Sequence, residues 1–206
     1  MTHPTTWMLL GVALVLALLA LRYAVQLAKR LDRLHLRILS TRDALDALAV
    51  RRAAEARMLA DSGLLDAAES GELGERAAQC LQDEDARFAD DALGQGRPHM
   101  GGAPAQDRAA WARNERESAL TRAIRTTLTP SVRDRLHGDE RGRPLLESLD
   151  MACYRLEVAR SMHNLDVSQV RRLREQAWVR ALHLYGRAPA PDTIDFDDAT
   201  TPAAGA

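Results

Sequence analysis

The side chains able to do chemistry are few and scattered. His163, Asn164 and Asp166 come closest to a constellation. On a helix, consecutive residues point in different directions, so His163 and Asn164 do not converge on one substrate. The spacing instead predicts structural work, with His163 on an apolar stripe making a helix–helix hydrogen bond and Asn164 bonding across to the first long helix. The other histidines, His3, His35, His99, His137 and His183, form no H-E-x-x-H or E-x-x-H set, so no metal site and no cofactor is expected. Cys80 and Cys153 stand alone without C-x-x-C spacing and read as buried, reduced thiols. Gly94-Gln95-Gly96 and Gly101-Gly102 follow no strand and carry no lysine, and Asp83-Glu84-Asp85 lacks Ca²⁺-loop spacing. No catalytic residue is assigned, and the chain is read as a non-enzyme.

Charge is more informative than reactive groups. The 206 residues carry 28 basic and 29 acidic side chains, a net charge of −1, which argues against a nucleic-acid partner. The balance hides segregation. Lys29 to Arg57 holds eight bases against four acids, and Arg171 to Arg187 holds five against one. Asp61 to Asp91 reverses this, with ten acids and two bases. Juxtamembrane bases attract anionic headgroups by about 1 kcal/mol each. Arg171, Arg172, Arg174 and Arg180 can therefore reach lipid if the last helix returns toward a membrane.

The elements that hold these groups are helical. Aromatics are 4% of the chain and isoleucine occurs only at positions 38, 124 and 194, too little for a sheet. Alanine, leucine and arginine favour helix. Trp7 to Leu21 is uncharged and apolar, and with Ala24, Val25 and Leu27 it approaches the length that spans a bilayer. Trp7 and Tyr23 sit where interfacial aromatics belong, and Arg22 is able to snorkel. No base precedes the run and no small-x-small cleavage site follows it, which predicts an uncleaved anchor. Arg22, Lys29, Arg30, Arg33 and Arg37 lie beyond it. They place that side in the cytoplasm by the positive-inside rule, with residues 1–5 outside and 6–28 in the membrane.

Residues 29–186 then read as one helical bundle. Leu27, Leu31, Leu34, Ile38, Thr41, Leu45 and Leu48 form an a/d seam, which predicts one helix to about Ala60 stopped at Gly63. The same seam would also suit a homo-oligomer. Leu73, Ala77, Cys80 and Leu81 fit a short helix, and residues 83–106, rich in glycine and proline towards Asp107, read as a mobile loop. A helix from Asp107, its expected cap, to Leu128 has Trp111, Ser118, Ile124 and Leu128 inward. A connection at His137 to Arg143 leads to the last and longest helix, Pro144 to Tyr185, about 60 Å long. Its stripe runs Leu145, Leu149, Ala152, Leu156, Ala159, His163, Val167, Val170, Ala177, Ala181 and Leu184, interrupted after Val170, and Gly186 ends it. Residues 187–206 read as an extended tail that ends disordered, with Ile194 and Phe196 able to dock. The expected class is all-α, a single N-terminal transmembrane helix followed by an elongated antiparallel three- or four-helix bundle.

Residues Arg155 to Val167, RLEVARSMHNLDV, resemble the helix signature of the LemA family, approximately N-R-I-A-x-A-R-R-x-Y-N-D-A-V. Arg155, Leu156, Ala159, Arg160, Asn164 and Val167 match in register, and His163 takes the seat of the usual tyrosine. ALDALAVRRA, residues 44–53, is similar to the family's D-x-x-L-x-R-R segment through Asp46, Arg51 and Arg52. The family's D-L-I-P-x-L turn is absent, Leu165 replaces an acid, and Cys153 stands where an acid is common. The resemblance implies an outside N-terminus, one span and a cytoplasmic bundle, and no reaction. The expected role is an interaction or scaffold module at the cytoplasmic membrane, with the bilayer and a membrane protein as partners. The alternative is a non-catalytic subunit or regulator of a membrane enzyme such as a protease, or an enzyme whose site is unrecognised.

Overall fold

The computed structural model describes residues 4–82, 104–182 and 191–200. Among these residues it contains six helices and no strand: α1 (Pro4–Ala60), α2 (Ala67–Leu81), α3 (Pro104–Thr127), α4 (Pro130–Gly138), α5 (Gly142–Glu175) and α6 (Ala177–Ala181). The fold is the all-α bundle that composition and periodicity predict.

α1 is one uninterrupted helix of 57 residues, about 85 Å long. Its apolar start is long enough to cross a membrane, and an 18-residue window there has mean hydropathy 2.3 with nothing buried against the bundle. Burial begins at Leu27 and continues at Leu31, Ile38, Leu45, Ala49 and Ala53. That seam packs on α5 of the same chain, so it is not free for a second copy. Leu27 and Leu31 meet Leu173, Ile38 meets Val167 and Val170, and Leu45 and Ala49 meet Leu156. Numbers fall on α5 as they rise on α1, which makes the pair antiparallel.

The far end is broader. α2 lies against α1 and α3, and Leu59, Leu73, Leu120, Ile124, Leu136, Leu146 and Leu149 fill one core. A reciprocal cap starts α2: Asp66 Oδ1 accepts from Glu69 N at 2.7 Å, and Asp66 N donates to Glu69 Oε2 at 3.0 Å. The turn after α1 needs Gly63, whose φ is +75°.

Several expectations are corrected. α3 begins at Pro104, so Asp107 lies inside the helix instead of capping it, and residues 104–106 belong to no loop. The rest of the expected loop falls outside the described residues. Trp111 is 68% exposed, not inward. α3 stops at Thr127, and Thr129-Pro130 opens a helix, α4, with Thr129 Oγ1 accepting from Val132 N. α5 starts at Gly142, ahead of Pro144. A Cβ on Gly142 would stand 2.8 Å from the Leu136 carbonyl oxygen, so only glycine allows α4 and α5 to meet this closely. Leu146 occupies the fully buried seat expected of Leu145, which is partly buried. The long helix does not reach Tyr185. It ends at Glu175, Gln176 is extended at ψ 133°, and α6 carries Val179 inward while Ala177 and Ala181 face out. Leu184, Tyr185 and Gly186 are outside the described residues.

Cys80 and Cys153 are free and buried, as expected. Burial, reinforced by the nearby Glu117 charge, pushes the Cys80 thiol from 9.0 up to about 12, and burial pushes Cys153 up to about 11. The unfolded chain therefore loses these protons near pH 9 while the folded chain keeps them. Their contribution is complete below pH 9 and is lost as pH rises towards 11 and 12, by up to about 1.4 kcal/mol per pH unit per thiol. Urea denaturation should show stability falling between about pH 9 and 11, and replacing both thiols with alanine should flatten that fall.

Candidate functional site: an arginine-lined groove that holds the tail

The polar side chains of this bundle converge beneath residues 191–200. Arg52 projects from α1 between small Ala49 and Ala53, which leave it room to reach α3. Its side chain is 1% exposed. Nη1 donates to Thr121 Oγ1 at 2.8 Å, and Nη2 donates to Glu117 Oε2 at 2.6 Å and to the Glu117 carbonyl at 3.1 Å. Glu117 is fully buried, and its second oxygen faces Arg113 Nε at 3.0 Å. Two guanidinium groups thus share one buried carboxylate. Such a cluster is tolerated in a low-dielectric interior only when every charge is paired.

The tail crosses this cluster in extended form. Alternate residues point inward: Ile194 packs with Leu45, Ala49 and Leu156, and Phe196 follows two residues later. The Phe196 ring lies 5.8 Å from the Arg52 guanidinium and 5.4 Å from that of Arg160, within the range of a cation–π contact. The other contacts read the tail residue by residue. Arg171 Nε donates to the Pro191 carbonyl at 3.0 Å, and Arg171 Nη2 donates to Asp192 Oδ1 at 2.7 Å. Asn164 Nδ2 donates to the Ile194 carbonyl and Asn164 Oδ1 accepts from Ile194 N, both at 2.9 Å. Ser118 Oγ accepts from Asp197 N at 3.0 Å. Arg125 pairs with Asp197 at 3.0 Å and donates to the Ala199 carbonyl at 2.6 Å, and Arg160 pairs with Asp198 at 2.7 Å.

Helical spacing explains this alignment. Arg160, Asn164 and Arg171 are four and seven residues apart on α5, and Ser118 and Arg125 are seven apart on α3. Each set makes one ridge, and α1 supplies the floor between them. The arrangement holds the acidic tail: ridge arginines take its carboxylates, Asn164 takes its backbone, and an apolar floor takes Ile194 and Phe196.

Among the residues singled out by sequence, Arg52, Arg160 and Asn164 meet in this groove. Asn164 bonds to the tail and not to α1, which corrects the expectation. His163 makes the interhelical contact expected of it. It is fully buried, with Nδ1 3.1 Å from Thr41 Oγ1. The Thr41 hydroxyl donates to the Ile38 carbonyl, so its lone pair is left to accept from His163. Arg51 and Arg155 are elsewhere, on a surface trough of about 280 Å³ with Pro144, Glu147 and Met151, and Arg51 pairs with Glu55 at 3.6 Å. Asp46 is half-buried on α1. Trp7, Arg22, Tyr23, Lys29, Arg30 and Arg33 are exposed along the start of α1. Arg171 turns to the tail, which removes it from the residues expected to face lipid.

Sequence reasoning missed Arg113, Glu117, Ser118 and Arg125 as groove or network residues. The available signal was the row Arg113, Glu117, Thr121, a polar stripe at spacing four on a helix whose other ridge is apolar. Among the described residues, no three His, Cys, Asp or Glu side chains lie close enough to hold a metal ion. No family model, curated protein or solved structure matches the chain.

Proposed function

We propose that this chain is a single-pass membrane protein, similar to the LemA family in layout, whose cytoplasmic bundle is an interaction module that captures extended acidic segments. The observation supporting this is the groove itself. Specific side chains engage backbone, carboxylates and one aromatic of a segment with no helix of its own, the logic of a peptide-recognition site. Its own tail occupies the groove in cis and competes with a segment of the same chemistry on a membrane-protein partner. Exposed apolar residues up to Val25 support the anchor, and the bases after it support a cytoplasmic bundle. The role assigned is binding, with no catalytic step.

A labelled peptide of residues 191–200 tests this on the full chain in detergent. A tethered tail acts at an effective concentration near the millimolar range, so wild type should bind the peptide weakly. Phe196→Ala weakens the tethered competitor and should raise peptide affinity about tenfold or more. Adding Arg160→Gln should remove the gain. A folded Phe196→Ala chain that binds no better than wild type excludes the groove as a recognition site.

A further inference from the structure

α6 is placed where no bundle element is needed. The break at Gln176 turns the chain, and Val179, fully buried against Leu27, Leu31 and Leu173, pins α6 to the first bundle turn of α1. With Val179 inward, Trp178 and Leu182 face outward at 64% and 52% exposure. They do not face open bundle surface. Together with Leu21, Tyr23, Ala24, Val25 and Ala28 they line an apolar trough of about 650 Å³.

The level of this trough matters. From Trp7 to Val25 is about 27 Å of helix, close to the roughly 30 Å of bilayer hydrocarbon. Trp178 is therefore held beside Tyr23 at the edge of the apolar stretch, the depth at which tryptophan and tyrosine concentrate. Arg22, Arg30 and Arg180 are exposed and lie within two positions of its lining residues in the chain, and Arg172 is exposed next to Leu173, which packs with Val179. An amphipathic piece with tryptophan and leucine on one side and arginines around it suits the headgroup boundary.

We infer that α6 is a second membrane-contact element and that the trough between it and α1 takes an acyl chain of an anionic phospholipid. The exposed arginines that flank its lining residues in the chain meet the headgroup phosphate, and Trp178 and Tyr23 enclose the acyl chain. A lipid is the fitting occupant because the trough is continuous with the apolar surface of the span. The bundle then stands on the bilayer at two points.

This rests on the span proposed above, and the three tryptophans separate the two ideas. The full chain is reconstituted into vesicles of phosphatidylcholine and phosphatidylglycerol, with and without bromine on the acyl chains near the headgroup. Three variants each keep one tryptophan, at position 7, 111 or 178, with phenylalanine at the other two. Emission from Trp178 should fall by about half in brominated vesicles, as an interfacial side chain requires, while Trp111 is unchanged. Quenching of Trp7 without Trp178 overturns the inference and leaves the span standing. Quenching of neither overturns both. Equal quenching of Trp178 in vesicles of phosphatidylcholine alone overturns the preference for an anionic headgroup.

Discussion

Glu117→Gln should destabilise the bundle by about 3–5 kcal/mol, the cost of leaving buried charge uncompensated. The substitution preserves shape and removes one negative charge from between two buried guanidinium groups. The amide still accepts a hydrogen bond, so packing is nearly intact and electrostatics account for the loss. Chemical denaturation of the full chain in detergent reads the effect. Arg51→Gln is the control, because its pair with Glu55 is 3.6 Å long and Arg51 is 59% exposed. An exposed pair contributes at most about 1 kcal/mol. Replacing Arg52, Arg113 and Glu117 together by apolar residues of similar volume should be far milder than Glu117→Gln alone, since removing a buried cluster entire also removes its desolvation cost. A Glu117→Gln chain within about 1 kcal/mol of wild type would mean that water reaches this cluster.

Phe196→Ala should release the tail while the bundle stays folded. Deleting a buried phenylalanine ring costs about 3–5 kcal/mol. Here the loss falls on a segment held by side chains of its neighbours and by no helix or strand. The Ile194 and Asp197 amides, which donate to Asn164 and Ser118, should lose their protection in hydrogen exchange. Amides in the middle of α5 should keep theirs. Equal loss in α5 would make the tail part of the global core and not a separable unit.

The architecture was largely legible in the sequence and the groove only in part. The a/d seam from Leu27 to Leu48 sets the long helix and its buried face because leucines at three/four spacing leave no other way to hide them. Ile194 and Phe196 stand out as apolar residues two apart in an acidic tail, the alternation of a docked extended segment. α3 misleads for a physical reason. Its inward seats include Arg113, Glu117 and Thr121, so hydrophobic periodicity places Trp111 inward when the buried face is partly ionic. α4 was hidden because Thr129-Pro130 reads both as the end of one helix and as the cap and first residue of the next. The break at Gln176 follows no proline or glycine, and only the interruption of the stripe after Val170 marked it. Contacts from Arg125 and Ser118 to the tail join residues more than seventy positions apart, and no local spacing encodes them.

The unbroken run of α1 turns the helix into a ruler. Leu45 to Arg52, the floor of the groove, stand about 30–40 Å beyond Val25 at about 1.5 Å per residue. On the proposed function, a partner rooted in the same bilayer would have to lift its acidic segment to that height. At about 3.3 Å per extended residue this takes some ten residues between the bilayer and the seats of Ile194 and Phe196. Segments with shorter leashes are excluded by distance, whatever their sequence.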